Sequence, residues 1–220
     1  MAERPLYAPD PEVVRANLER VRERAGPEVD ILAATKYVPV EAMGALAEAG
    51  VTLVGENRVQ DLEAKREHWG DAFTWDFIGN LQSRKVKRIV PLVRLIHSLA
   101  TESALVQLER HAEPQTEVLV EVNLAGEQTK GGVDPGQLGE FIARCRARAV
   151  GLMAMPPLTP DPEASRPYFA RLAELAAEHG LGRLSMGTSQ DWEVAVDEGA
   201  TILRLGSVLF EPAGRGREVG

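Results

Sequence analysis

From residue 30 onward, short apolar runs alternate with longer stretches in which apolar positions recur every three or four residues. The short runs predict strands over 31–35, 52–55, 75–78, 94–97, 117–123, 150–155, 183–185 and 201–205. The intervening periodicity predicts helices over 39–49, 57–68, 81–90, 102–111, 135–146, 162–179 and 191–198. A strand followed by a helix returns to the sheet through a crossover, so these strands pair in parallel. Eight such units predict an α/β fold, a single (β/α)8 barrel of the TIM type. The competing architecture is a doubly wound open sheet, but no Gly-x-Gly-x-x-Gly follows any strand. Ahead of the first strand the pattern predicts an extra N-terminal helix. Asp10 caps it, Pro11 takes its first turn, Val13, Val14, Asn17, Leu18 and Val21 follow at helical spacing, and Gly26-Pro27 closes it. Such a helix would cover one end of the barrel or its final gap. No linker or composition shift interrupts residues 1–220, which read as one domain.

Composition narrows the classes of function. A net charge of −8 argues against nucleic acid as a partner, and the one dense basic cluster, Arg84, Lys85, Lys87 and Arg88, reads as a solvated helix face. The four histidines lack metal-ligand spacing, so no metal is expected. Cys145, alone, forms no internal disulfide. No signal peptide and no membrane-spanning apolar run is visible, so a soluble, cytoplasmic protein without a membrane partner is expected, and a monomer.

In a barrel of this kind, function collects where strands run out into the following loops. The first strand ends on Lys36. Strand alternation puts Ala34 and Lys36 on one face, the small alanine leaving space beside an amine held in a partly dry pocket, where its lone pair is freer to attack a carbonyl. The bland alternative is a lysine that snorkels to water. At the seventh and eighth strand ends, Ser189 begins a helix, Gly206 admits close backbone approach and Ser207 adds a hydroxyl, which together read as a phosphate cup. Alternatively, Thr188 with Asp191 forms a capping box and Gly206 only a turn. On the last strand, Ile202, Arg204 and Gly206 share the face opposite Leu203 and Leu205, so the guanidinium points inward. It needs an acceptor: a carboxylate such as Glu121, or a heteroaromatic ring nitrogen. The fifth strand leaves Leu119, Glu121 and Asn123 inward. Strand-end lysine, phosphate cup and inward arginine suit pyridoxal 5′-phosphate, with its aldehyde on Lys36 as a covalent aldimine.

The chain resembles, over nearly its full length, the YggS-like (PROSC-type) pyridoxal 5′-phosphate homeostasis proteins, which look like the barrel half of bacterial alanine racemase. The resemblance is carried by Ala34-Thr35-Lys36, Val54-Gly55-Glu56-Asn57 with Val59 and Gln60, Phe77-Ile78-Gly79 with Leu81-Gln82-Ser83, and Ile96-His97-Ser98. It continues through Val122-Asn123 with Gln128 and Lys130, Gly151-Leu152-Met153-Ala154, Leu184-Ser185-Met186-Gly187 with Ser189, and Arg204-Leu205-Gly206. The resemblance implies that Lys36 carries the cofactor, that Asn57 lies beside it, that Arg204 faces the pyridine nitrogen, that Ser189, Gly206 and Ser207 hold the phosphate, and that Met155 and Met186 lie near the ring. Two positions depart from the pattern: Thr188 where many members carry Met, and Ser207 where many carry Thr.

An arginine at the pyridine nitrogen leaves it unprotonated and weakens the electron sink that most pyridoxal enzymes use. Racemisation tolerates this but needs a second base on the opposite face of the substrate. The only tyrosines are Tyr7, Tyr37 and Tyr168, and Tyr37, next to Lys36, is expected to point away from its face. The expectation is a carrier without catalytic residues that supplies the cofactor to apo-enzymes. The alternatives are an amino-acid racemase-like enzyme of weak activity and a cofactor-free lysine aldolase.

Overall fold

A computed structural model describes residues 7–126 and 131–212. Eight parallel strands close into one barrel in sequence order: β1 (Asp30–Ala34), β2 (Leu53–Glu56), β3 (Thr74–Phe77), β4 (Leu95–Leu99), β5 (Glu117–Glu121), β6 (Arg148–Met153), β7 (Arg183–Ser185) and β8 (Ile202–Leu205). Closure is made by β1 against β8, with Leu32 opposite Arg204 and Ala33 opposite Leu205. Alternation along the strands sorts side chains into two layers. Leu32, Leu53, Leu95, Leu119, Met153 and Ile202 fill the lumen. Their neighbours, among them Ala33, Val54, Val118, Val120, Leu203 and Leu205, face outward into the larger core under the helices.

Around the barrel run α1 (Pro11–Ala25), α2 (Gly44–Glu48), α3 (Val59–Trp69), α4 (Val86–Ile89), α5 (Glu102–His111), α6 (Leu138–Ala143), α7 (Arg166–Glu178), α8 (Trp192–Asp197) and α9 (Ser207–Phe210). α1 is the extra helix expected before the first strand. Asp10 caps it by accepting from the backbone N–H of Glu12 and Val13, and Pro11 occupies its first turn. Its buried stripe of Val14, Asn17, Leu18 and Val21 packs against α9, α8 and α2, so it fills the final gap beside β8. Asn17 secures it there by donating to the carbonyls of Leu209 (3.1 Å) and Glu211 (2.8 Å).

Four expected helices are broken into shorter pieces, those over 135–146 and 162–179 by the 3₁₀ turns Pro135–Gln137 and Pro162–Ser165 that precede α6 and α7. Over 39–49 a 3₁₀ turn, Val40–Ala42, precedes α2, and the Val40 carbonyl accepts both the Met43 N–H at 3.3 Å and the Trp69 indole N–H at 2.7 Å. Over 81–90 the 3₁₀ turns Ser83–Lys85 and Val90–Leu92 flank α4; Pro91 supplies no N–H to continue a helix. The helix expected to start at Asp191 begins at Trp192. No helix among the described residues is long and apolar enough to cross a membrane.

Candidate functional site

β1 ends at Ala34, so Lys36 leaves the strand just above the rim. Ala34 pairs with Gly55 on β2, and a side chain at Gly206 would begin 4.0 Å from the Ala34 carbonyl, so Lys36 emerges between Asn57, beyond β2, and Ser207, beyond β8. Its side chain is exposed, not held in the dry pocket expected from the sequence, and it stands on the turn that directly follows the strand. The ammonium lies 5.2 Å from the centroid of the Tyr37 ring, so Tyr37 does not point away from it. Behind Lys36 is a buried clamp that the sequence reading missed. The outward side chain of Thr35 donates to Glu56 Oε1 at 2.6 Å, and Lys65 of α3 donates to the same oxygen at 2.5 Å and to the Thr35 carbonyl at 2.7 Å. Burial raises the Glu56 carboxyl above its ordinary value despite Lys65 and Thr35, and Glu56 Oε2 has no hydrogen-bond partner.

Arg204 lies in the lumen, as alternation on β8 requires, and is 6% exposed. Its guanidinium climbs toward the rim, donating to the Ser185 hydroxyl, to the Ala154 carbonyl (3.0 Å) and to the Met155 sulfur (2.9 Å). None of these acceptors is a carboxylate. Burial brings its pKa down to about 10, opposed from further off by Glu121 and Asp191. Glu121 is thus a distant counter-charge, and its own carboxyl is raised by burial. Met155, half exposed at 50%, caps Arg204 and borders a cavity of ≈ 120 Å³ whose walls include Glu121, Asn123, Ala154, Pro156 and Tyr168.

The seventh and eighth strand ends are tied together through Ser189. Its hydroxyl accepts from the backbone N–H of Gly206 (3.0 Å) and of Val208 (3.2 Å), gathering two donors around Ser207 at the start of α9. Gly187 makes this turn possible: at φ 89 it adopts left-handed backbone, and a side chain there would start 2.6 Å from the Ala195 methyl. Thr188 does bond Asp191, through its backbone N–H at 2.7 Å and its hydroxyl at 3.0 Å, while Ser165 donates to the other Asp191 oxygen. The capping contact and the Ser189 turn therefore coexist.

Lys36, Asn57, Arg204, Met155, Ser189, Gly206 and Ser207 all occupy the carboxyl rim or the lumen beneath it. The side chain of Met186 does not join them. It is fully buried in the outer core layer, because β7 turns Ser185 inward and its neighbour outward; Ser185, not Met186, meets Arg204. Gln128 and Lys130 lie outside the described residues. Among the described residues no group of three or more His, Cys, Asp or Glu is placed to hold a metal.

Below Arg204 the lumen carries a polar chain that passes from strand to strand. Ser185 meets His97 Nδ1 at 2.8 Å, and His97 Nε2 meets Asp76 Oδ2 at 3.1 Å. Arg94 grips Asp76 with two bonds, 3.0 and 2.7 Å, and reaches Asp30 at 3.1 Å; Arg183 reaches the same Asp30 oxygen at 2.7 Å. Burial pushes Asp76 up, but the bonds from His97 and Arg94 outweigh it and hold the carboxyl below its usual range. Burial lowers His97, with Asp76 opposing. Asp76 escaped the sequence reading, although a carboxylate between Trp75 and Phe77 in a buried strand was the signal that could have found it.

A closed barrel with an amine at the end of its first strand, a buried arginine on its last and a donor-lined turn beyond the seventh defines the class. The chain belongs to the family described as alanine racemase, N-terminal domain, whose sequence model matches residues 10–213. Within that family its relatives are pyridoxal phosphate homeostasis proteins. The one from Aquifex aeolicus is 41% identical over 213 residues, covering 88% of this chain and 93% of that protein. PipY of Synechococcus elongatus, solved with pyridoxal phosphate bound, superposes with a TM-score of 0.79 at 31% identity, covering 90% of this chain and 100% of PipY. Alanine racemase from Corynebacterium glutamicum shares the fold, with a TM-score of 0.73 at 15% identity over 99% of this chain and 66% of the racemase.

Proposed function

We propose that this protein binds pyridoxal 5′-phosphate covalently, as a Schiff base on Lys36, and serves cofactor homeostasis rather than catalytic turnover. The amine of Lys36 adds to the aldehyde and water leaves. Ser189 and Ser207 would offer the phosphate their hydroxyls, with the Gly206 N–H released to it if the phosphate displaces the Ser189 hydroxyl; Asn57 would flank the ring and Arg204 would donate to its nitrogen. The observation that carries this reading is Arg204: a buried cation without a contacting carboxylate, on the strand adjacent to β1, aimed at the rim. Facing the ring nitrogen, it disfavours protonation there, so the cofactor is held while the electron withdrawal that drives most pyridoxal chemistry stays weak. An exposed Lys36 suits exchange of the aldehyde with recipient apo-enzymes in the cytoplasm, and a monomer suffices for it.

The test is borohydride reduction followed by peptide mass spectrometry. One adduct of the cofactor's mass on Lys36, and a colourless Lys36→Ala protein, are expected; a Lys36→Ala variant as yellow as the parent overturns the proposal. A second reading, slow amino-acid racemisation, has Tyr168 in its favour, since it lines the cavity beside Met155. Exchange of the α-proton of single enantiomers in deuterated water at enzyme-like rates would establish it in place of the carrier.

A further inference from the structure

The polar chain beneath Arg204 has a direction. Asp76 is ionised, its carboxyl held low by His97 and Arg94, so it accepts, and His97 Nε2 must carry the proton between them. His97 is fully buried, and burial favours its neutral form, which leaves Nδ1 as a bare acceptor. The Ser185 hydroxyl, 2.8 Å away, therefore donates to Nδ1, and its lone pair accepts from Arg204 Nη1. Every bond points the same way: Arg204 to Ser185, Ser185 to His97, His97 to Asp76. Asp76 is in turn neutralised by Arg94 rather than by Arg204.

We infer that Ser185 and His97 are positioning residues that hold the Arg204 guanidinium toward the rim as an obligate donor and thereby make the site select a ring presenting a bare acceptor nitrogen. The inference rests on the reading of Lys36 and Arg204 as a pyridoxal phosphate site. Ser185 spends its one proton on His97 and so faces Arg204 with a lone pair alone. It fixes one edge of the guanidinium without supplying a negative charge. The positive charge, opposed only from a distance by Glu121 and Asp191, then faces the ligand, and a ring whose nitrogen is quaternised offers neither an acceptor nor a compatible charge.

The probes are pyridoxal 5′-phosphate and its N1-methyl derivative, which keeps aldehyde and phosphate but lacks the acceptor. The native protein should bind the methylated compound roughly tenfold or more weakly, the size of one charge-assisted hydrogen bond lost. Ser185→Ala should narrow that ratio toward unity, and Ser185→Thr, which restores the hydroxyl, should retain it; a residue that only supports the fold would change both affinities together. Independently, ¹⁵N NMR of the imidazoles in cofactor-free native protein should show His97 neutral with its proton on Nε2. A charged ring, a proton on Nδ1, or equal discrimination by the native and Ser185→Ala proteins overturns the inference. Failure of the native protein to take up pyridoxal phosphate at all would instead strike the proposed function, and the imidazole spectrum would still decide whether the chain of donors exists.

Discussion

Replacing Lys65 with Met puts the clamp behind Lys36 to the test. The side chains of Lys65 and Glu56 are 5% and 0% exposed, and their Nζ and Oε1 atoms lie 2.5 Å apart. Removing one partner of such a pair strands a buried charge and costs about 3–5 kcal/mol, a large part of the total stability of a domain. The pair of Arg88 with Glu63, on the surface and screened by solvent, serves as the control whose loss should barely register. The cost should depend on pH in a specified direction. Glu56 already sits above the ordinary carboxylate range through burial, and loss of Lys65 raises it further. A carboxyl raised in the folded state binds a proton that the unfolded chain releases, so the variant regains stability as pH falls from neutrality toward the unfolded value of about 4.3. Urea unfolding, followed by circular dichroism at several pH values, measures both effects. The double variant Glu56→Met/Lys65→Met, which leaves no stranded charge, should recover most of the loss. A single-variant loss below about 1 kcal/mol, or a deficit that grows on acidification, would refute the account of the clamp. Because Lys65 also holds the Thr35 carbonyl, one residue before Lys36, borohydride trapping at Lys36 should slow in the single variant.

Gly151→Ala should abolish folding or cost several kcal/mol in denaturant titration, because the new methyl would stand 1.9 Å from the Arg183 carbonyl of the paired strand. Acid should unfold the protein partly through Asp76. Its folded pKa lies below the unfolded value of about 3.9, so its contribution is present above that pH and is lost as pH falls through the folded value; Asp76→Asn should flatten that limb of the stability curve while lowering stability at neutral pH.

The parts of the molecule that were legible in the sequence are those set by local periodicity. α5 and β7 have the expected boundaries, and Arg204 faces inward because Leu203 and Leu205 take the outer layer. Lys36, Ser189 and Gly206 could be placed at the carboxyl rim from the sequence because each lies just beyond a strand of the repeating pattern. What stayed hidden depends on register between strands distant in sequence. Asp76, His97, Ser185 and Arg204 come from four strands, and only closure of the barrel places them in one line. The Met186 side chain, which the resemblance implies lies near the ring, packs in the outer core layer, while Ser185 before it turns inward to Arg204. The break before Met43 lies where the Trp69 indole, from a different helix, reaches the Val40 carbonyl, a contact that periodicity alone does not contain.

Closure between β1 and β8 joins the strand that leaves the ribosome first to the one that leaves it last among the eight. Until β8 emerges, the nascent polypeptide is an open curl with two bare edges, and neither Arg204 nor the donors around Ser207 can be in place. α1, made before any strand, must wait for Leu209 and Glu211 to receive Asn17. On the proposed reading of Lys36 and Arg204, capture of the aldehyde has to wait until the barrel is complete, and its uptake by a translating ribosome complex would time the moment the ring shuts.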